Sequence, residues 1–329
     1  MIRILHDTNY DFIRWWKVMA AITIAFIVLG LGSLAIKPLN LSIEFTGGTL
    51  VQLEFTQPPD VGVIRSTLDE ANIHGAEIQQ FGTNREFTVR AQDPAAVASQ
   101  SKGAESIAVT IERVLKQKFG ENNLKVMRTE AVGPRVGSEL KRGAIIAILL
   151  SFLITLVYLS IRFEWRFATA AVIATSHDVF TTIAFLKLMH LEISLTVVAG
   201  LLTVLGYSLN DTIIIFDRVR ENLRKGRKET LYETLNRSIN ETLPRSVLTH
   251  ATVFAATLSL LIFAGEVIRP FAWVMAFGVV TGTFSSIYVA APVLLWIERK
   301  WPRRTVARQS SSTATPTSRT RRSPATATR

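Results

Sequence analysis

Six apolar stretches, at residues 18–36, 143–161, 167–186, 193–216, 246–265 and 271–297, each run 19 residues or more. A bilayer core takes about 20 apolar residues at helical rise. With no water around it, the backbone there must satisfy its own polar groups, so such stretches fold as helices. The first, second and sixth hold no Asp, Glu, Lys, Arg or His. The length argument sets aside buried helices of a soluble protein. The 48% hydrophobic content would not have shown this, because polar segments dilute the spans.

Lys and Arg orient the spans. The stub 1–17 has Arg3, Arg14 and Lys17, and the second-to-third connection has Arg162 and Arg166. The connection 217–245 carries Arg218, Arg220, Arg224, Lys225, Arg227, Lys228 and Arg237, ending at Arg245. The alternate connections, 187–192 and 266–270, hold one basic residue each. The positive-inside rule then puts both termini of a multi-pass membrane protein in the cytoplasm. Segment 37–141 faces the other side. At 19 residues the first span exceeds the usual signal-peptide core of about 7–15, so an uncleaved anchor is expected despite the small residues Ser33 and Ala35.

There is no cysteine, which excludes disulfides, thiol chemistry and Cys-based metal sites. The net charge of +11 is not a nucleic-acid signal, because seven Arg and no acid fall in the Ser/Thr/Pro-rich stretch 302–329. The tail, 298–329, is too polar to fold and suits anionic lipid. The five His are scattered without ligand spacing, and no nucleotide-binding fingerprint appears.

Segment 37–141 alternates between strand and helix patterns. Strands are expected at 49–55, 77–81, 86–90 and 124–127, and helices at 60–71 and 105–119. The order β-α-β-β-α-β suggests a ferredoxin-like unit. Residues 92–103 read as a mobile loop, and Gly133-Pro134-Arg135-Val136-Gly137 as a connector into the second span, 142–161. Leu231, Leu235, Ile239 and Leu243 predict a short amphipathic helix that Pro244 ends. The fold class is thus an α-helical integral membrane protein with six transmembrane helices plus an α+β, ferredoxin-like extracytoplasmic domain.

Chemistry is sought at ionisable groups inside the bilayer, where a charge is costly and marks function by default. Asp211 leads, in Gly206-Tyr207-Ser208-Leu209-Asn210-Asp211-Thr212. Gly206 is expected to admit a neighbouring helix, while Ser208, Asn210 and Thr212 supply interhelical hydrogen bonds. A carboxylate poised between burial and a nearby cation takes up and releases a proton. Arg245, at similar depth on the antiparallel next span, is the candidate cation; snorkelling is its ordinary alternative. His177 and Asp178 form a weaker second site, though successive helical residues point about 100° apart and cannot both address one spot. His250 is expected to pack, Asp217 to be solvated, and Gly278-Val-Val-Thr-Gly282 to pack helices closely.

Together these motifs resemble one family. Phe45-Thr46-Gly47-Gly48-Thr49, Val132-Gly133-Pro134, Arg162-Phe163-Glu164-Trp165-Arg166, His177-Asp178-Val179, Gly206 to Thr212, Asp217-Arg218-Val219-Arg220-Glu221-Asn222 and Ser285-Ser286-Ile287-Tyr288 are similar to the SecF family, related to the RND transporters. The likeness covers about residues 10–300 and leaves out the tail beyond Trp301. It implies a subunit without enzymatic activity or bound cofactor, driven by the proton-motive force with H⁺, or alternatively Na⁺, as coupling ion. Its partners would be SecD, the SecYEG channel, YajC as a further candidate, and translocating preproteins. It implies roles in proton passage for Asp211, next to Asn210, and for Arg245, and none for Asp178 or His177. A proton-coupled small-molecule transporter and a non-transporting scaffold are the competing readings.

Overall fold

The computed structural model describes residues 8–91, 102–225, 228–265 and 267–302. Most of the expected loop 92–103 and nearly all of the tail therefore lie outside the described residues. Six helices are long and apolar enough to span a membrane. They are α1 (Trp16–Gly32, extended at both ends by 3₁₀ turns), α5 (Pro134–Arg162), α6 (Trp165–Leu188), α7 (Leu195–Arg224), α8 (Leu231–Phe263) and a sixth made of α9 (Arg269–Ser285), a π-turn (Ser286–Ala290) and α10 (Ala291–Lys300). The short helix α2 (Ile43–Thr46), α3 (Val61–Glu70) and α4 (Lys102–Phe119) belong to the segment between the first two spans. Spans α6, α7 and α9–α10 form the buried centre, whereas α1 and α5 keep their Leu, Ile and Val side chains outward. That outward apolarity is what lipid or a partner's helices require.

The α/β domain has strands β1 (Gly48–Phe55), β2 (Glu77–Gln80), β3 (Glu86–Ala91) and β4 (Leu124–Val132), antiparallel in the order β2-β3-β1-β4. This is the ferredoxin-like arrangement, each βαβ crossover skipping one strand. Strand alternation puts Val51, Leu53 and Phe55 of β1 against Ile64 and Leu68 of α3 and Ile111 and Leu115 of α4. The opposite face, with Gln52, Thr88 and Arg90, looks onto a polar cavity of about 170 Å³ above the bundle.

Two glycine-bearing motifs meet where the domain joins the bundle. Gly47 has φ +74°, and a Cβ there would sit 2.9 Å from the Cα of Pro134; one on Gly137 would sit 3.0 Å from the Gly47 nitrogen. The chain also ties itself to the start of α7. Ser42 N–H donates to the Ile193 carbonyl at 2.9 Å, Ile193 N–H to the Asn40 carbonyl at 2.7 Å, and Leu195 N–H to the Glu44 carboxylate at 2.6 Å. From β3, the buried Arg90 pairs with Glu192 and donates to the Leu41 carbonyl at 3.2 Å. Displacement of α7 is therefore felt by the sheet.

Several boundaries differ from the sequence reading. The connector 133–137 is helical from Pro134, because proline at the first helical position loses no hydrogen bond. Strand β4 extends to Val132, paired along β1. The amphipathic helix does not stop at Pro244: α8 runs through it into the fifth span. Leu235, Ile239 and Leu243 before the proline, and Ser246 and His250 after it, are all buried, and this packing outweighs the lost N–H. Likewise α7 continues to Arg224 and α10 to Lys300.

The segment before α1 is strapped to α8. Asn240 accepts from the Tyr10 N–H at 2.9 Å and donates to the Tyr10 carbonyl at 2.8 Å. The Asp11 carboxylate takes the Tyr232 hydroxyl at 2.5 Å and the Asn236 amide. The Tyr232 bond holds Asp11 below its ordinary value of 3.8, against a partial desolvation that raises it; Asn236 and Arg14 add to the lowering. A depressed carboxyl stabilises docking above its unfolded pKa and loses that contribution as pH falls through the folded one. The strap should thus release below about pH 4. The chain lacks cysteine, so spin labels on Asn9→Cys and Lys228→Cys report the distance cleanly. It should lengthen on acidification, and Asp11→Asn should remove the pH dependence; an unchanged distance in both proteins rejects the strap.

Candidate functional site

Small residues bring α7 and α9 together. A Cβ on Gly278 would lie 2.3 Å from Val204 Cγ2, and one on Gly282 would lie 3.1 Å from Ser208 Cβ. Gly206 does not share this role: its Cβ position is open, so the predicted close approach is made elsewhere on the helix pair. Past Gly282 the helix widens into the π-turn Ser286–Ala290. Pro292 lacks the N–H that the Tyr288 carbonyl would accept, and a π-turn absorbs such a break; these turns favour functional sites.

Two carboxylates are buried where these helices meet α6 and α8. Asp211 of α7, 3% exposed, accepts from Ser286 Oγ at 2.6 Å and from Ser246 Oγ of α8. Asp178 of α6, 0% exposed, accepts from Ser285 Oγ at 2.7 Å and from Ser208 Oγ of α7. Consecutive serines on one helix thus reach two different acids, since neighbouring side chains diverge by about 100°. His177 and Asp178 do touch each other, with His177 Nδ1 3.1 Å from Asp178 Oδ1. Among the described residues, His177 Nε2 has no hydrogen-bond partner.

The Ser286 hydroxyl can pair with Asp211 in either protonation state. Ser286 Oγ is also 2.8 Å from the Gly282 carbonyl, and Ser285 Oγ is 3.2 Å from it. A hydroxyl has one proton and two lone pairs. Facing an ionised carboxylate, Ser286 donates to Asp211. Facing a protonated one, it accepts from Asp211 and turns its own proton to Gly282.

The other predicted residues stand apart. Arg245 is exposed and, among the described residues, makes no ion pair; its neighbour Ser246 is the one that faces Asp211. Asn210 points outward and Asp217 is exposed. His250 is buried, with Nδ1 2.6 Å from the Ser246 carbonyl, so that nitrogen carries the proton. Among the described residues no His, Asp and Glu groups converge as metal ligands would. From sequence alone Ser246 carries no role, and Ser286 stands within Ser285-Ser286-Ile287-Tyr288 with no assignment to a carboxylate. The signal for Ser246 is position, just past Arg245.

Comparison with known proteins supplies a family. Residues 110–300 match the family described as "Protein export membrane protein SecD/SecF, C-terminal", and residues 32–59, which contain Gly47-Gly48, match the SecD/SecF GG motif. The chain is 62% identical over 305 residues to the protein translocase subunit SecF of Gemmatimonas aurantiaca, covering 92% of this chain and 91% of that one. It is 40% identical over 289 residues to SecF of Vibrio alginolyticus, covering 88% and 90%. Among solved structures it resembles SecDF of Thermus thermophilus, a translocon-associated membrane protein, with TM-score 0.80 and 34% identity over 91% of this chain. The super-membrane-facing form of SecDF gives TM-score 0.65 at the same identity over 95% of this chain. The chain spans 40% and 41% of the length of those SecDF chains.

Proposed function

Because this chain belongs to the SecD/SecF family of protein-export membrane proteins, we propose that it serves the Sec translocase as its SecF-type subunit in preprotein export. It works in transport rather than catalysis. A SecD-type chain is its direct partner, with a SecYEG-type channel, YajC and the exported chain as further contacts. Both termini lie in the cytoplasm and the α/β domain outside, as the Lys and Arg distribution requires.

The observation that carries the mechanism is the buried Asp211, hydrogen-bonded by Ser246 and Ser286 at the junction of three spans. Asp211 takes up and releases the coupling proton, and Asp178 with His177 extends the route beyond the serine pair. When Asp211 is ionised it draws Arg245 toward it; rotation of α8 about Pro244 exchanges the Ser246 hydroxyl for the guanidinium. Protonation releases Arg245 again. The ties between α7 and the sheet at Glu44 and Arg90 pass the resulting shift to the α/β domain. Each charge crossing the membrane supplies about 2.3 kcal/mol per 100 mV, roughly fifty-fold in an equilibrium constant.

Vesicles carrying the channel, a SecD-type partner and this chain should export faster when a proton gradient is imposed. A protonophore should remove the acceleration. Equal gradient response with this chain omitted defeats the proposal.

A further inference from the structure

We propose that the cleft between the α5–α6 turn and the far end of α7 binds the phosphate of an anionic phospholipid headgroup. The cleft has a volume of about 460 Å³ and is lined by Arg162, Asp217, Arg220, Glu221, Arg224 and Lys225. Glu221 is already committed, to Arg218 at 2.6 Å and Lys225 at 2.8 Å. Among the described residues Arg162, Arg220 and Arg224 make no ion pair, which leaves three guanidinium groups facing one carboxylate, Asp217.

Two of those cations are held together. Both lie over the buried Phe163 ring, the Arg162 guanidinium 5.4 Å and the Arg220 guanidinium 4.9 Å from its centroid. Arg220 is fixed further by donating to the Arg162 carbonyl at 3.4 Å. Two like charges pinned to one ring repel, and an anion bound in the cleft they both line offsets that cost. The planar guanidinium fork fits phosphate oxygens better than it fits water.

The depth identifies the source of the phosphate. Trp165, at the start of α6, meets Trp301 at 6.0 Å, Trp301 meets Trp296 at 6.0 Å, and Lys300 lies over both of the latter rings. Indoles clustered at span ends sit at the level of the headgroups. The cleft therefore opens where lipid phosphates lie, and a basic pocket between spans is the form such sites take. Topology alone asks only for Lys and Arg somewhere on this side; it does not ask for two of them stacked on one buried ring.

Native mass spectrometry of the full chain in detergent, titrated with phosphatidylglycerol and phosphatidylcholine, tests this. One phosphatidylglycerol should bind at about thirtyfold lower concentration than phosphatidylcholine, since three Arg against Asp217 leave two net cations, each contributing about 1 kcal/mol near the surface. Arg162→Gln with Arg220→Gln and Arg224→Gln should abolish the preference. Arg65→Gln with Arg113→Gln and Lys118→Gln, the same charge loss in exposed residues of the α/β domain, should keep it. Should the triple cleft variant not fold, Arg220→Lys keeps the charge without the fork and should lower the preference alone. Equal binding of the two lipids, a preference untouched by the cleft variants, or displacement of the lipid by millimolar inorganic phosphate would overturn the proposal, the last by assigning the cleft to free phosphate.

Discussion

Asp211→Asn is expected to abolish gradient-driven stimulation of export and to leave a folded, assembled subunit. Asparagine has the shape of the acid. Its amide oxygen accepts from Ser246 as the carboxylate does. Its NH₂ needs an acceptor, and Ser286 supplies one by turning its proton to the Gly282 carbonyl, 2.8 Å away. The packing of α7, α8 and α9 therefore survives, and what is lost is titration. Stimulation should fall to the level measured with a protonophore. Asp178→Asn, in the same vesicles, should lose stimulation as well if the route extends through Ser285 to His177. Ser246→Ala and Ser286→Ala each remove one donor worth about 1.5–3 kcal/mol to a charged acceptor, so partial losses are expected from them. The measurement is the export rate with and without an imposed gradient, alongside co-purification of the SecD-type partner. A fully gradient-dependent Asp211→Asn variant sinks the role given to this carboxyl.

How the site reads from sequence depends on what each residue contrasts with. Asp211 stands out because a carboxylate in an apolar run has no ordinary local use. Ser286 does not, because a serine inside a spanning helix satisfies itself on its own i−4 carbonyl. Ser151 and Ser176 do this, at 2.8 Å to Ala147 and to Val172. No local pattern separates those serines from the pair that reaches across to a carboxylate. Arg245 attracted attention for its charge, yet the rotation of α8 beyond Pro244 places Ser246, one residue on, against Asp211. The six spans and the β-α-β-β-α-β order were legible because period and length set them. The ends of α5 and α8 were not. Proline stops a helix in isolation, and its tolerance at 134 and 244 depends on a terminal position in one case and on tertiary packing in the other. Gly206 misled for a related reason. Glycine in a spanning helix announces close packing without saying which face is packed, and Gly206 faces outward.

Leucine at position 278 should separate α9 from α7 and dismantle the site that depends on their contact. Even the first carbon of a side chain there would stand 2.3 Å from Val204 Cγ2 and 2.6 Å from Cγ1. Val204 is 1% exposed and cannot swing away, so the helices themselves must part. Overpacking of this kind costs about 1–3 kcal/mol and sometimes more. At about 2–4 °C per kcal/mol for a chain of this order, the thermal midpoint in detergent should drop by several degrees. One turn along, Gly282 rides on Ser208, and just beyond it Ser285 and Ser286 bond to Asp178 and Asp211 at 2.7 and 2.6 Å. A shift of about 1 Å at 278 carries these bonds past the distance at which a hydroxyl still donates usefully. Stability and stimulation should therefore fall together. Gly278→Ala should fall less, and adding Val204→Ala should restore part of the loss, because the clash is with that side chain. At Gly206 a Cβ would meet nothing within 4 Å, so Gly206→Leu should leave stability within about 0.5 kcal/mol of the parent. Equal midpoints for the leucine variants at 278 and 206 would show that the α7–α9 contact is not what holds the two carboxylates in place.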